Sequence, residues 1–239
     1  MHRNRRSWQW VATVVVLVVE LVAVGTISVA QADQLPKVLP LDSSPYGSTY
    51  GEWSARWWQW VMAVPAATNP NLDTTGANCG VGQVGPVWFL AGAFGGSFNR
   101  TCTVPAGKAL LLTPLTQLNG SGAFDCEPTA PGLCNLNSLR ALAAAFADNP
   151  TTLEVVVDGH RLKNVGRYRV QSPAFSITYP EGAVFGLPSG TLMPNVSDGY
   201  WLLLAPLSVG THTITLMAVT NPEVGSFPVK VIWHLTITP

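Results

Sequence analysis

The chain has 239 residues, 47% of them hydrophobic and only 11% charged, with 13 Lys plus Arg balancing 13 Asp plus Glu. That balance leaves no basic excess to attract nucleic acid or anionic lipid, so partners are expected to be found by shape and polarity. The low charge, with 22 Gly and 19 Pro, suits a β-rich extracellular protein better than a charged cytosolic enzyme.

Residues 1–32 read as a secretory signal peptide. Arg3, Arg5 and Arg6 form a basic start, the stretch 11–19 is apolar, and Ala30-Gln31-Ala32 offers a small-residue cleavage site before Asp33. With residues 21–30 added, the run approaches the ~20 residues of a bilayer span, so an uncleaved anchor is the alternative. Glu20 argues for cleavage, because a charge near the middle of a span costs ~2.5–3.5 kcal/mol. Once the signal is cleaved, no stable membrane span is expected. Residues 33–239 then carry ten Lys plus Arg against twelve Asp plus Glu.

Pro36, Pro40 and Pro45 mark an extended arm. It leads into YGSTYGEWSARWWQWVMAV, residues 46–64, which places four of the nine tryptophans within eight residues. A helix is predicted over 50–63: Thr49 and Glu52 have capping-box spacing, Glu52 and Arg56 sit at i and i+4, and Pro65 ends the pattern. Trp53, Trp57, Trp60, Val61 and Val64 share one face, and Trp58 and Met62 widen it. Such a helix must lie against a sheet or a partner. Its tryptophans are read either as core or, for Trp53, Trp57 and Trp58, as a platform that stacks on a sugar ring or another ligand.

Turn chemistry follows over 69–82. The segments 86–91 (PVWFLA) and 108–115 (KALLLTPL) read as strands flanking a Gly-rich excursion at 92–100, and 119–134 reads as a loop. A second helix is predicted over 138–147, with Leu139, Leu142 and Phe146 on one face and Asn137 as its cap. Strands are then expected at 153–157, 168–170, 174–179, 200–204, 211–219 and 229–237. In the last two, Thr alternates with Ile, Leu or Trp, as in a sheet with one wet face. The expected fold is mainly β: one antiparallel β-sandwich, jelly-roll or immunoglobulin-like, over 33–239, decorated by two short helices.

Cys79, Cys102, Cys126 and Cys134 are an even set in an exported chain and imply two disulfides. Sequential pairing makes the two shortest loops. A zinc site is the competing use, but no C-x-x-C pair is present and the intervals are irregular. Asp73, Asp125, Asp158 and Asp198 are too isolated for a calcium loop, and His160, His212 and His234 are too scattered for a metal site. No metal or cofactor is implied. Gly80-Val81-Gly82-Gln83-Val84-Gly85 spells G-x-G-x-x-G, yet it runs from Cys79 into Pro86 and a strand rather than into a helix, so close backbone turns explain it better.

The enzymatic reading that remains is a glycoside hydrolase, which needs two carboxylates in a cleft and an aromatic surface for the sugar. Glu52 stands beside the tryptophans and would act as acid or base, with Asp73 as its partner. The competing reading has Glu52 capping its helix and Asp73 making a turn with Thr74, Thr75 and Gly76.

The blocks YGSTYGEWSARWWQW, GQVGPVWFLAG, CTVPAGKALL, DGYWLLLAPLSVGTHTITL and VIWHLTITP, in this order, resemble a family of uncharacterised exported bacterial proteins. The resemblance covers most of residues 33–239 and implies bacterial export, to the periplasm, cell surface or medium, of a single unit. It brings no established activity. The functional expectation is therefore a binding or surface-interaction module with a glycan or other cell-surface ligand, the alternative being an extracellular hydrolase of a polysaccharide or related polymer.

Overall fold

In the computed structural model, residues 36–120 and 135–239 are described. Helix α1 runs from Tyr50 to Met62. Both halves of its capping box form: the Glu52 N–H donates to Thr49 Oγ1 (3.3 Å), and the Thr49 N–H donates to the Glu52 carboxylate (2.7 Å). The apolar face turns inward. Trp57, 1% exposed, meets Trp58, Trp60 and Trp201 edge-on at centroid distances of 5.1, 5.9 and 5.5 Å. Its Nε1 donates to the Leu90 carbonyl at 3.0 Å, which ties the helix to the first strand region.

The molecule is mainly β, with these two sheets in a sandwich-like arrangement. One sheet carries β1 (Val87–Phe89), β3 (Ala109–Gly120), β8 (Gly190–Leu204) and β6 (Arg169–Gln171), with β7 (Phe175–Tyr179) also pairing β8. The other has the order β2 (Gly96–Pro105), β10 (Pro228–Thr238), β9 (Gly210–Val219), β4 (Thr152–Val157) and β5 (His160–Arg161). Residues from both sheets and from α1 share one apolar core that includes Trp57, Trp201 and Trp233. Thr alternates with buried residues along β9 and β10, as the pattern predicts.

Not every neighbour is antiparallel. β1 pairs β3, and β2 pairs β10, in parallel, while the other six pairings are antiparallel. The cause is the segment expected to be a Gly-rich excursion. From Gly96 it becomes β2, crosses to the other sheet, and lets the chain return beside β1 in the same direction.

β3 is interrupted at Pro114. Leu112 pairs Leu202 and Leu115 pairs Tyr200, so three steps along β3 face two along β8. Proline has no N–H for the ladder, and the bulge absorbs the extra residue. Thr113 repairs part of the loss, its Oγ1 donating to the Tyr200 carbonyl at 2.8 Å.

The second helix, α2 (Leu136–Ala147), starts earlier than expected. Asn135, not Asn137, is its cap, with its side chain accepting the Ser138 N–H at 2.9 Å. Its last turn is fastened to the sheet by Arg169, which donates to Asp198 (2.8 Å), Asp148 (2.5 Å) and the Ala144 carbonyl (3.0 Å), and by the Tyr200 hydroxyl, which donates to the Ala147 carbonyl (3.1 Å).

Cys79 and Cys102 form a disulfide across 23 positions, anchoring the turn-rich segment to β2. There the Thr101 N–H donates to the Thr75 carbonyl at 2.8 Å. Gly76 is required at this junction: its φ is +91°, and a Cβ would stand 2.1 Å from the Thr101 carbonyl oxygen. Cys126 and Cys134 lie outside the described residues, as does the leader expected over 1–32. Among the described residues, no helix is long and apolar enough to cross a membrane.

Candidate functional site: an aromatic cleft beside the β3 bulge

The bulge opens onto a cleft of about 290 Å³. Thr113 to Gln117 form one wall, Trp57 and Trp58 come from α1, Phe146 from α2, Asn71 and Phe94 from loops, and Phe185 and Phe227 from the mouth. Four of the chain's eight phenylalanines thus converge on one concavity. Phe94, Phe185 and Phe227 are 38%, 50% and 52% exposed, an uncommon state for a large apolar ring unless something covers it. Phe94 and Phe185 meet edge-on at 4.8 Å, and Phe146 stacks on Phe227 at 6.2 Å with 24° between planes.

Phe185 is held there by its backbone, with φ 60° and ψ 14°. This left-handed conformation is disfavoured for a bulky side chain and costs ~1–3 kcal/mol, and such residues gather at ligand clamps.

Among the described lining residues, each hydroxyl has its proton committed. Thr113 donates to the Tyr200 carbonyl, Thr116 to the Asp198 carbonyl at 3.1 Å, and Thr220 to the Gly225 carbonyl. Thr116 Oγ1 also accepts the Trp58 indole N–H at 3.3 Å. Among the described residues that line the cleft, none is titratable.

Behind the wall lies Arg100, 0% exposed. No carboxylate among the described residues forms an ion pair with it. Its guanidinium donates to the carbonyls of Gly92 (2.6 Å), Asn71 (3.0 Å) and Ala91 (3.3 Å) and lies over the rings of Phe98 and Trp233 at 4.7 and 5.3 Å. Burial pulls its pKa down to about 10, against a favourable field from Asp73.

The expected catalytic pair is not in this cleft. Glu52 is exposed and engaged in the capping box, where the Thr49 N–H, the Thr49 hydroxyl and then Arg56 hold its carboxyl below the usual range. Asp73 accepts from the Thr75 N–H (2.8 Å), the Thr75 hydroxyl (2.8 Å) and the Asn78 N–H (2.8 Å). Burial pushes its pKa up, but those donors more than offset it and leave the carboxyl low. Trp53, Trp57 and Trp58 are 5%, 1% and 6% exposed, so none has an open face for a sugar ring; Trp57 and Trp58 reach the cleft only as part of its wall. Trp53 instead lies under Arg56, whose guanidinium carbon is 4.7 Å from the ring.

A second cluster joins Ser208, His212 and Asp158. His212 Nδ1 is 2.6 Å from the Asp158 carboxylate, and Nε2 is 2.9 Å from the Ser208 carbonyl but 3.5 Å from its hydroxyl. Nδ1 faces the carboxylate and Nε2 lies nearer the serine's backbone carbonyl than its hydroxyl, so the ring is aimed at the main chain rather than at the Ser208 Oγ. The arrangement pins the β9 entry to the turn after β4 and does not activate a nucleophile.

Sequence reasoning missed Asn71, Phe94, Phe146, Phe185 and Phe227 as a group. The available signal was phenylalanine in turn-forming contexts, Phe94 beside Gly95-Gly96 and Phe185 before Gly186, where a core role is hard to fill. Comparison with protein-family models, with characterised proteins and with solved structures finds no match to this chain.

Proposed function

We propose that the protein is an exported binding module whose ligand site is the aromatic cleft beside the β3 bulge, and that it takes a small molecule with an apolar body. The observation that carries the reading is the convergence of three part-exposed phenylalanines, one on a strained backbone, at the mouth of a single cleft. Its volume matches about ten groups of water size, at roughly 30 Å³ each. Among the described residues the lining supplies no acid or base, which supports binding rather than catalysis. The disulfide between Cys79 and Cys102 fits an oxidising destination.

The test uses 2-naphthol as probe in a ligand-observed NMR titration. Wild type is expected to bind it, and Phe185→Ala with Phe227→Ala to weaken binding by at least ~10-fold while the melting temperature stays within a few degrees, since both rings are half exposed. No binding by the wild type, or equal binding by the double variant, would overturn the proposal.

A further inference from the structure

We propose a second ligand site outside the aromatic cleft: the groove between α1 and the 80–85 loop takes an amphipathic carboxylate, with Arg56 holding its charge. The groove has a volume of about 690 Å³, within the ~300–1,000 Å³ of small-molecule sites, and shares no lining residue with the cleft. Trp53, Trp60 and Phe89 form its floor, Phe89 meeting the two indoles at centroid distances of 6.2 and 5.4 Å. Pro65, Val84 and Pro86 add exposed apolar walls, and Val84 is 81% exposed.

The loop that forms the outer wall is held in place. The Gln83 side-chain amide donates to the Phe89 carbonyl (2.8 Å) and the Cys79 carbonyl (3.0 Å), while its oxygen accepts the Phe89 N–H (2.9 Å). The Trp60 indole donates to the Val81 carbonyl at 2.8 Å. Gly82, at φ +65°, runs so close that a Cβ would stand 3.3 Å from the Trp60 ring. The G-x-G-x-x-G run thus lays a fixed backbone over a tryptophan and leaves Val84 facing solvent beside it.

Arg56 is the one charged side chain among the described residues that line this groove. Its guanidinium carbon lies 4.7 Å from the centre of the Trp53 ring, so the planar fork is stacked over the floor. Among the described residues, none takes a hydrogen bond or ion pair from that guanidinium. Glu52, one turn earlier, has its carboxylate on the Thr49 N–H and hydroxyl and reaches Arg56 only through its field. Lys108, a second cation at this wall, donates to the Gly85 carbonyl. The Arg56 fork is therefore open to a carboxylate, which it can meet with two parallel hydrogen bonds.

The neutral polar groups do not reverse this preference. Gln59 donates an amide N–H to the Ser176 carbonyl at 2.9 Å, and the Thr68 hydroxyl can donate or accept. An ammonium would be repelled by Arg56. A phosphate monoester, with ~1.5–2 negative charges, would exceed the single cation while Glu52 stands one turn away.

The experiment is a calorimetric titration of the full chain at neutral pH with octanoate, 1-octanol and octylammonium, which share one alkyl chain. Octanoate should bind ~10-fold or more tighter than 1-octanol, with octylammonium weaker than either. Arg56→Gln should bring octanoate to the level of 1-octanol, and Val84→Ser should weaken both. Both side chains are exposed, so the two variants should melt within a few degrees of wild type. Phe185→Ala with Phe227→Ala, aimed at the aromatic cleft, should leave octanoate binding unchanged. If Arg56→Gln does not fold, the wild-type ranking and the double phenylalanine variant decide. Octanoate no tighter than 1-octanol, or undiminished in Arg56→Gln, would overturn the assignment. Loss of octanoate binding in the double phenylalanine variant would move the ligand to the cleft and overturn the groove as its site, and neither result depends on whether 2-naphthol binds.

Discussion

Arg100 Nη2 donates to the Asn71 carbonyl at 3.0 Å, so a fully buried guanidinium holds the residue that forms one wall of the cleft. The cation is stabilised by three carbonyls, two aromatic faces and the field of Asp73 rather than by a direct ion pair. Arg100→Met keeps much of the volume but leaves the carbonyls of Asn71, Ala91 and Gly92 without their donors, at ~1–3 kcal/mol for each one left unmet. Urea denaturation should show a loss of at least ~3 kcal/mol, and Arg100→Lys should recover only part, since an ammonium lacks the planar fork. A loss under ~1 kcal/mol for the methionine variant would mean that the carbonyls find other partners.

Trp57→Ala removes an indole from the centre of the core and its bond to Leu90, and should cost ~3–5 kcal/mol. Trp58→Ala should be costly as well, because Trp58 is 6% exposed and bonded to Thr116. Thermal unfolding of both variants checks this. A Trp58→Ala protein that melts with the wild type would return Trp58 to the role of an exposed ligand platform.

Reducing the Cys79–Cys102 bridge releases a closure over 23 positions, for which chain entropy gives ~3.4 kcal/mol. The denaturation midpoint should fall on adding reductant. In Cys79→Ser with Cys102→Ser, reductant should no longer produce that part of the shift. Identical midpoints for oxidised and reduced wild type would show that the bridge does not constrain the unfolded chain.

The low carboxyls of Glu52 and Asp73 make the fold acid-labile. Their ordinary values are 4.5 and 3.8, and both lie lower in the folded chain. Their stabilisation is therefore complete above the ordinary values and is lost as the pH falls below them and through the lower folded ones. Asp73→Asn, which can no longer accept from both Thr75 and Asn78, should flatten that part of the pH–stability profile. A variant with the wild-type acid slope would exclude Asp73 as a contributor.

Thr49→Ala deletes the hydroxyl that caps α1 and should cost ~1 kcal/mol. Glu52→Gln carries the enzymatic arm: if any polysaccharide proves to be cleaved, full turnover in this variant would show that Glu52 is not the acid or base.

What the sequence determined by itself is what short-range chemistry controls. Thr49, Glu52 and Pro65 set the ends of α1 because caps and proline act within a turn, and the alternation along β9 and β10 announced a one-sided sheet because side chains on a strand point to opposite faces by necessity. The Cys79–Cys102 pairing was legible from loop length. Tertiary structure decided the rest. Asn135 and Asn137 are equally good caps in sequence, and the docking of α2 on β3 and β8 chose between them. The parallel pairings follow from β2 changing sheets, which residues 92–100 do not announce. The cleft joins Asn71, Phe94, Phe146, Phe185 and Phe227 from five distant segments around a bulge at Pro114. No periodicity links such positions, and the unpartnered Asn71 oxygen and unpaired Arg100 exist only where packing excludes water, because burial and neighbourhood belong to the folded chain rather than to any window of its sequence.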